Sequence, residues 1–292
     1  MLGGSARLAT MERSIRDQPG GRRRPPILVI GAHRSGTTAT ARALRLLGLQ
    51  IGQRLDSHEE SRELQQLHER YLRQVGAAWY RPHAFIERVK TSKHRKDCAE
   101  YLRASVDREF ASIFGYRKNL GGLFRLARLR MGGLWGWKEP RTTLFAPAWL
   151  DVFPDARIVH VIRHPLAAAM SIRQRELEFR DRGDPAKQEL DDLDFCLRLV
   201  AAYIRCGEDV ALQTPHYYKV HFEEIQTHPR EALARLADFC SLRFTPAQLA
   251  TAAGTIRPPT SPSRRGLAGK DVNELVTEHS IVTRLGYAWD LS

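Results

Sequence analysis

Apolar positions follow two rhythms along this chain. Unbroken runs of strand length, Ile27-Leu28-Val29-Ile30, Leu134 to Trp137, Arg157 to Ile162 and Tyr217 to Phe222, alternate with segments of helical period. The helical segments run over Thr38 to Leu47, Thr143 to Phe153, Leu166 to Arg175 and Pro229 to Cys240. Strands without a polar face, separated by helices, predict a parallel sheet covered on both sides. The expected fold is α/β: a three-layer, P-loop-like arrangement with a central parallel sheet flanked by helices. In such folds the ligand-binding loops gather at the carboxyl ends of the strands.

Two helical insertions interrupt the alternation, Ser61 to Leu129 and Glu176 to Leu212. Most of their residues read as ordinary helix packing, and the segments are placed to shape an acceptor pocket. Gly121-Gly122 and Gly132-Gly133 read as turns that bracket a basic piece carrying Arg125, Arg128 and Arg130. No internal repeat is present. Residues 1–24 are polar and aperiodic and read as a disordered basic tail, with Met11 an alternative start. Residues 25–292 read as a single domain.

Composition narrows the classes. The chain has 292 residues, of which 42% are hydrophobic, enough for a substantial core. No apolar run has the length of a transmembrane helix and no signal-peptide core is visible, so a soluble, cytoplasmic protein is expected, with peripheral membrane contact still open. The four cysteines, Cys98, Cys196, Cys206 and Cys240, form no CxxC pair and predict neither a zinc knuckle nor a disulfide framework. A net charge of +13 raises nucleic-acid binding. Against it, the arginines are dispersed and no aromatic-basic RNA-binding motif occurs. A small, multiply charged anion uses that charge more economically.

The segment Gly31-Ala32-His33-Arg34-Ser35-Gly36-Thr37-Thr38 follows a buried strand and opens a helix, so backbone N–H groups and a helix N-terminus converge on one anion site. It keeps the glycine frame of a Walker A loop. Thr37, however, stands where that motif needs lysine, and the basic side chain is Arg34. The neighbouring apolar strand ends in Arg163 rather than in an acidic magnesium ligand. Both substitutions disfavour an ATPase and predict phosphate held by protein cations without metal. Ser171, eight residues after Arg163 on the next helix, is positioned to share that anion.

These residues resemble the sulfotransferases that use 3′-phosphoadenosine 5′-phosphosulfate (PAPS), notably a bacterial branch whose loop reads His-Arg-Ser-Gly-Thr. The likeness spans about residues 27–245. It also takes in Lys138-Glu139-Pro140-Arg141, Phe153 to Arg157, Arg163 with Ser171, and the Tyr218 to Ile225 phrase. The resemblance implies PAPS as sulfuryl donor, with no metal, within one sulfotransferase domain over residues 25–292. It implies that His33, Arg34, Ser35, Gly36, Thr37 and Thr38 bind the 5′-phosphosulfate end. Arg163 and Ser171 then bind the 3′-phosphate, and Arg264, Arg265 and Gly266 close over it.

Sulfuryl transfer needs an in-line acceptor oxygen, positive charge around the sulfuryl and bridging oxygens, and a base. Lys138 and Arg34 are the candidate cations. Glu60 and Glu59, in a phrase similar to the family's Glu-Thr-Arg, are the candidate bases, with His58 a third. The expected acceptor is a hydroxyl or amine on a carbohydrate, lipid or natural product. Trp79, Trp135, Trp137 and Trp149 read as core, with one indole near the loop available to stack on adenine. Two alternatives are kept open: a kinase with a degenerate P-loop, and a non-catalytic protein that binds 3′-phosphonucleotides.

Overall fold

The computed structural model describes residues 24–185, 187–258, 283 and 285. Five parallel strands form its sheet: β1 (Ile27–Ile30), β2 (Gln50–Ile51), β3 (Trp135–Lys138), β4 (Arg157–Ile162) and β5 (Tyr217–His221), in the order β2-β3-β1-β4-β5. Helix α1 (Thr37–Leu46) follows β1. Between β2 and β3 lie α2 (Arg62–Gln74), α3 (His83–Val89), α4 (Ser92–Ile113) and α5 (Leu120–Arg130). Helix α6 (Thr142–Val152) joins β3 to β4. After β4 come α7 (Pro165–Asp181) and α8 (Leu193–Ala211), and after β5 come α9 (Phe222–Thr227), α10 (Pro229–Phe239) and α11 (Pro246–Gly254).

The strands carry two cores because successive side chains point to opposite faces. In β1, Leu28 and Ile30 join one apolar cluster with Leu64, Phe145, Trp149 and Leu197 from the insertions and α6. Ile27 and Val29 join the other, with Leu44 of α1 and Leu233 and Leu236 of α10. All four β1 residues are fully buried. On the insertion side, Trp135, Trp137 and Trp149 pack with Phe114 and Phe153, ring centroids 4.8–6.2 Å apart. Trp79 is buried in the same cluster, so the four tryptophans read as core from the sequence all belong to it.

The predicted strands recur, with β3 displaced by one residue: Lys138 is its last position, in register with Val29. The edge strand β2 spans two residues, too short to form an apolar run in the sequence. Gly121-Gly122 is not a turn. It forms the first turn of α5, where the Asn119 side chain accepts from the Gly122 N–H at 2.9 Å. A Cβ on Gly122 would lie 1.7 Å from the Arg117 carbonyl oxygen, so tight packing explains that glycine.

His160 faces the insertion-side core from the middle of β4. Burial pushes its imidazole down to about 3, so it is neutral, and its Nδ1 pairs with the Tyr217 hydroxyl at 2.6 Å. Gly207 of α8 lies against this ring, where a Cβ would come within 2.3 Å of it. Gly207→Ala is expected to lower stability by about 1–3 kcal/mol through overpacking. Denaturant unfolding monitored by tryptophan fluorescence checks this, and an unchanged midpoint contradicts it.

Candidate active site

A cleft of about 900 Å³ opens where β1, β3 and β4 end. Its floor is the Gly31–Gly36 loop. Gly36 adopts φ 91°, and a Cβ there would strike the Phe222 ring at 2.2 Å, so glycine alone fits the turn into α1. Among the described residues no side chain caps α1. Its first N–H groups are therefore left for an anion. Thr143 of α6 anchors the start of the loop, accepting from the Gly31 N–H at 2.9 Å and donating to the Gly31 carbonyl at 3.0 Å.

One wall of the cleft is cationic. Arg34, in the left-handed region at φ 66°, donates through Nε to Ser171 Oγ at 3.0 Å, and Arg163 donates to the Arg34 carbonyl at 3.1 Å. Arg34, Arg163 and Ser171, separated by up to 137 positions in sequence, therefore meet. The sequence reading set Arg34 with the 5′-phosphate; its observed partner is Ser171. From Ser171, α7 presents Arg175 and Phe179 to the same cleft, one turn apart each. Arg175 lies 5.9 Å from the Trp79 ring and 5.7 Å from the Phe179 ring. Burial and the nearby Arg34 lower its pKa.

The opposite wall holds a buried ion pair. Lys138, at the end of β3, contacts Glu60 Oε1 and donates to the His58 carbonyl at 2.8 Å. Glu60 Oε2 accepts from Gln65 at 2.8 Å. The Asp56 carboxylate holds the turn by accepting from the backbone N–H groups of His58 at 2.8 Å and Glu60 at 3.0 Å. Burial raises the pKa of Glu60, and Lys138 opposes that shift.

Glu59 is the correction. At φ 61° its carboxylate turns away to Arg42 at 3.3 Å and Arg45 at 3.1 Å on α1, and it does not line the cleft. Adjacent residues point in different directions, which a two-glutamate sequence does not reveal. His58 does line the cleft, and its pKa is lowered by burial. Ser35 is also turned inward, its hydroxyl donating to the Ala32 carbonyl at 2.7 Å, so it shapes the loop from within. Thr37 and Thr38 line the cleft. His33 does too, its ring tilted against that of Trp79 with centroids 4.3 Å apart; burial and Arg141 hold its pKa well below the usual value, so it is a neutral group. Arg264, Arg265 and Gly266 lie outside the described residues.

The Lys138-Glu139-Pro140-Arg141 segment also builds a network that sequence reasoning missed. Glu139, fully buried, accepts from Arg141 Nη1 at 2.6 Å and pairs with His68 Nδ1 at 2.6 Å, while Arg141 Nη2 reaches Glu69 at 2.7 Å. Trp149 Nε1 donates to His68 Nε2 at 3.1 Å. An indole only donates, so His68 accepts at Nε2 and donates through Nδ1 to Glu139. Burial alone would raise Glu139, but Arg141 and the hydrogen bond from His68 hold it at about 2. The available signal was a Lys-Glu-Pro-Arg run closing a buried apolar strand, where charges need partners.

The fold and this site define a class: a parallel α/β protein in which a P-loop-like turn sets the start of a helix beside two arginines. The sequence matches the model of the Sulfotransferase family over residues 25–246, and the chain belongs to that family. Sulfuryl transfer is accordingly its reaction class. The fold is similar to that of the sulfotransferase STF9 from Mycobacterium avium, at 18% identity and a TM-score of 0.54, covering 98% of this chain and 82% of that one. It is also similar to the sulfotransferase domain from the curacin biosynthetic pathway, at 14% identity and a TM-score of 0.51, covering 91% and 99%. A comparison with curated proteins finds no match.

Because Glu139 ionises more readily folded than unfolded, its contribution to stability is complete above the ordinary carboxylate range of about 4.3. It is lost as pH falls from there to about 2. Glu139→Gln, which leaves the buried Arg141 with only the half-exposed Glu69 as charge partner, is expected to cost about 3–5 kcal/mol at neutral pH and to flatten stability across that acid window. Urea unfolding at a series of pH values reads both effects.

Proposed function

We propose that the chain transfers a sulfuryl group from PAPS to a hydroxyl or amine of a carbohydrate, lipid or natural-product acceptor, releasing adenosine 3′,5′-bisphosphate. The observation that carries this reading is the meeting of Arg34, Arg163 and Ser171 in one cleft with the Lys138–Glu60 pair. Residues 25–292 act as one sulfotransferase domain in the cytoplasm, which suits the free, buried thiols of Cys98, Cys196 and Cys240.

In this mechanism Gly36, Thr37 and Thr38 present backbone N–H groups to the 5′-phosphosulfate, and Arg34, Arg163 and Ser171 hold the 3′-phosphate. Glu60 takes the proton of the acceptor as its oxygen attacks sulfur in line with the bridging oxygen. Lys138 turns from Glu60 to that bridging oxygen, which leaves with the nucleotide. The exchange suits a buried pair: losing Lys138 as partner makes Glu60 a stronger proton acceptor at the moment the acceptor approaches. Glu60, with its raised pKa, lines the cleft, whereas Glu59 is committed to Arg42 and Arg45.

Calorimetry tests the donor. Adenosine 3′,5′-bisphosphate is expected to bind more tightly than ADP, and Arg163→Ala to weaken it by about 1.5–3 kcal/mol through loss of a charge-assisted contact. Equal affinities for the two nucleotides refute the PAPS assignment, and magnesium-dependent ATP turnover refutes it in favour of a kinase.

The pH profile tests the base. Activity requires ionised Glu60, so kcat/KM is expected to fall as pH drops through a pKa above the ordinary carboxylate value. Lys138→Ala removes the charge that lowers that pKa, so the acid limb moves to higher pH as kcat drops. Glu60→Gln abolishes transfer while nucleotide affinity is retained. Full activity in Glu60→Gln removes the residue from the base role.

A further inference from the structure

Helix α5 is apolar on two faces. Leu126 and Leu129 are buried in the insertion-side core, which accounts for one of them. On the other face Leu120 is 85% exposed, Phe124 67% and Met131, the residue that ends the helix, 83%. Positions i, i+4 and i+11 fall within about 40° of one another around a helix axis. Three of the five large exposed hydrophobics among the described residues therefore share one stripe, whereas Leu46 on α1 and Leu212 just after α8 stand apart. A surface helix ordinarily keeps its outward face polar.

One flank of the stripe, and the chain leading into it, are basic. Arg117 and Lys118 precede the helix, Arg125 and Arg128 lie exposed on it, and no Asp or Glu occurs from Arg117 to Trp137. Leu120, Phe124, Met131 and these cations are not among the residues that line the cleft. Catalysis as derived above therefore gives no account of them.

We infer that α5 docks on an anionic membrane surface, inserting Leu120, Phe124 and Met131 among the lipid chains while Arg117, Lys118, Arg125 and Arg128 contact the headgroups. Apolar residues on one face with cations beside them are the arrangement of a helix that lies in the membrane interface. No helix among the described residues is long and apolar enough to cross a bilayer, so the contact is peripheral. A second copy of the chain fits poorly, because pairing two such faces sets arginine against arginine with no acidic side chain in the segment to offset them. The inference is independent of the donor assignment.

Flotation of the full chain with vesicles tests it. The chain is expected to float with phosphatidylcholine vesicles containing phosphatidylglycerol, to stay behind with phosphatidylcholine alone, and to be released by salt that screens surface charge. Phe124→Ser combined with Met131→Ser, and separately Arg125→Gln combined with Arg128→Gln, are each expected to reduce binding roughly tenfold or more. Both pairs are exposed, so the melting temperature and nucleotide affinity report that the variants are folded. Equal flotation of wild type and both variants assigns any binding to another basic segment and overturns the inference. Absence of flotation at low salt also overturns it, as does a dimer in sedimentation velocity that Phe124→Ser dissolves.

Discussion

Strand β1 is hydrogen-bonded on both edges, to β3 and to β4, with every strand parallel. That single constraint sets three carboxyl ends side by side, and each end delivers a different piece of chemistry. From β1 comes the Gly31–Gly36 loop, from β3 Lys138, and from β4 Arg163. Parallel pairing fixes their relative heights, since Lys138 stands opposite Val29 and His160 opposite Ile30. The strand order thus concentrates cationic groups at one sheet edge without any of them being close in sequence.

Concentrating charge in a partly dry cleft is costly unless the charges are arranged. The carboxylates that line this cleft are each engaged: Asp56 by backbone N–H groups, Glu60 by Lys138, Glu69 by Arg141 and Glu176 by the Lys187 N–H. The Glu139 network beneath them is a positioning device, tying α2 through His68 to the end of β3 and to Arg141. What remains is positive, as suits a ligand carrying several phosphate or sulfate charges. The one pair that the proposed chemistry undoes, Lys138 with Glu60, is also the pair between a cation and a carboxylate whose pKa burial has raised.

Much of the sheet was legible because fully buried strands leave an unmistakable trace: runs such as Ile27 to Ile30 and Arg157 to Ile162 contain little but apolar residues, and both coincide with observed strands. Gln50–Ile51 escaped because pairing with β3, not its own composition, makes it a strand. In α5 the glycines at 121 and 122 read as a turn, yet the Asn119 cap and close packing on Arg117 make them helical. The glycine propensity was overruled there by a side-chain cap three residues upstream.

The chain by itself determined the α/β class, the glycine-framed loop with Thr37 in place of the Walker A lysine and Arg34 earlier in it, and the cationic end of β4, because these depend on residue type and short-range spacing. Only the tertiary structure decided which neighbour in the Glu59-Glu60 pair lines the cleft, that Arg34 turns to Ser171, that Ser35 points inward, and that Glu139 with His68 and Arg141 forms a buried network. Those outcomes depend on the direction of individual side chains and on partners up to 137 residues away, and neither quantity is encoded in any local window of sequence.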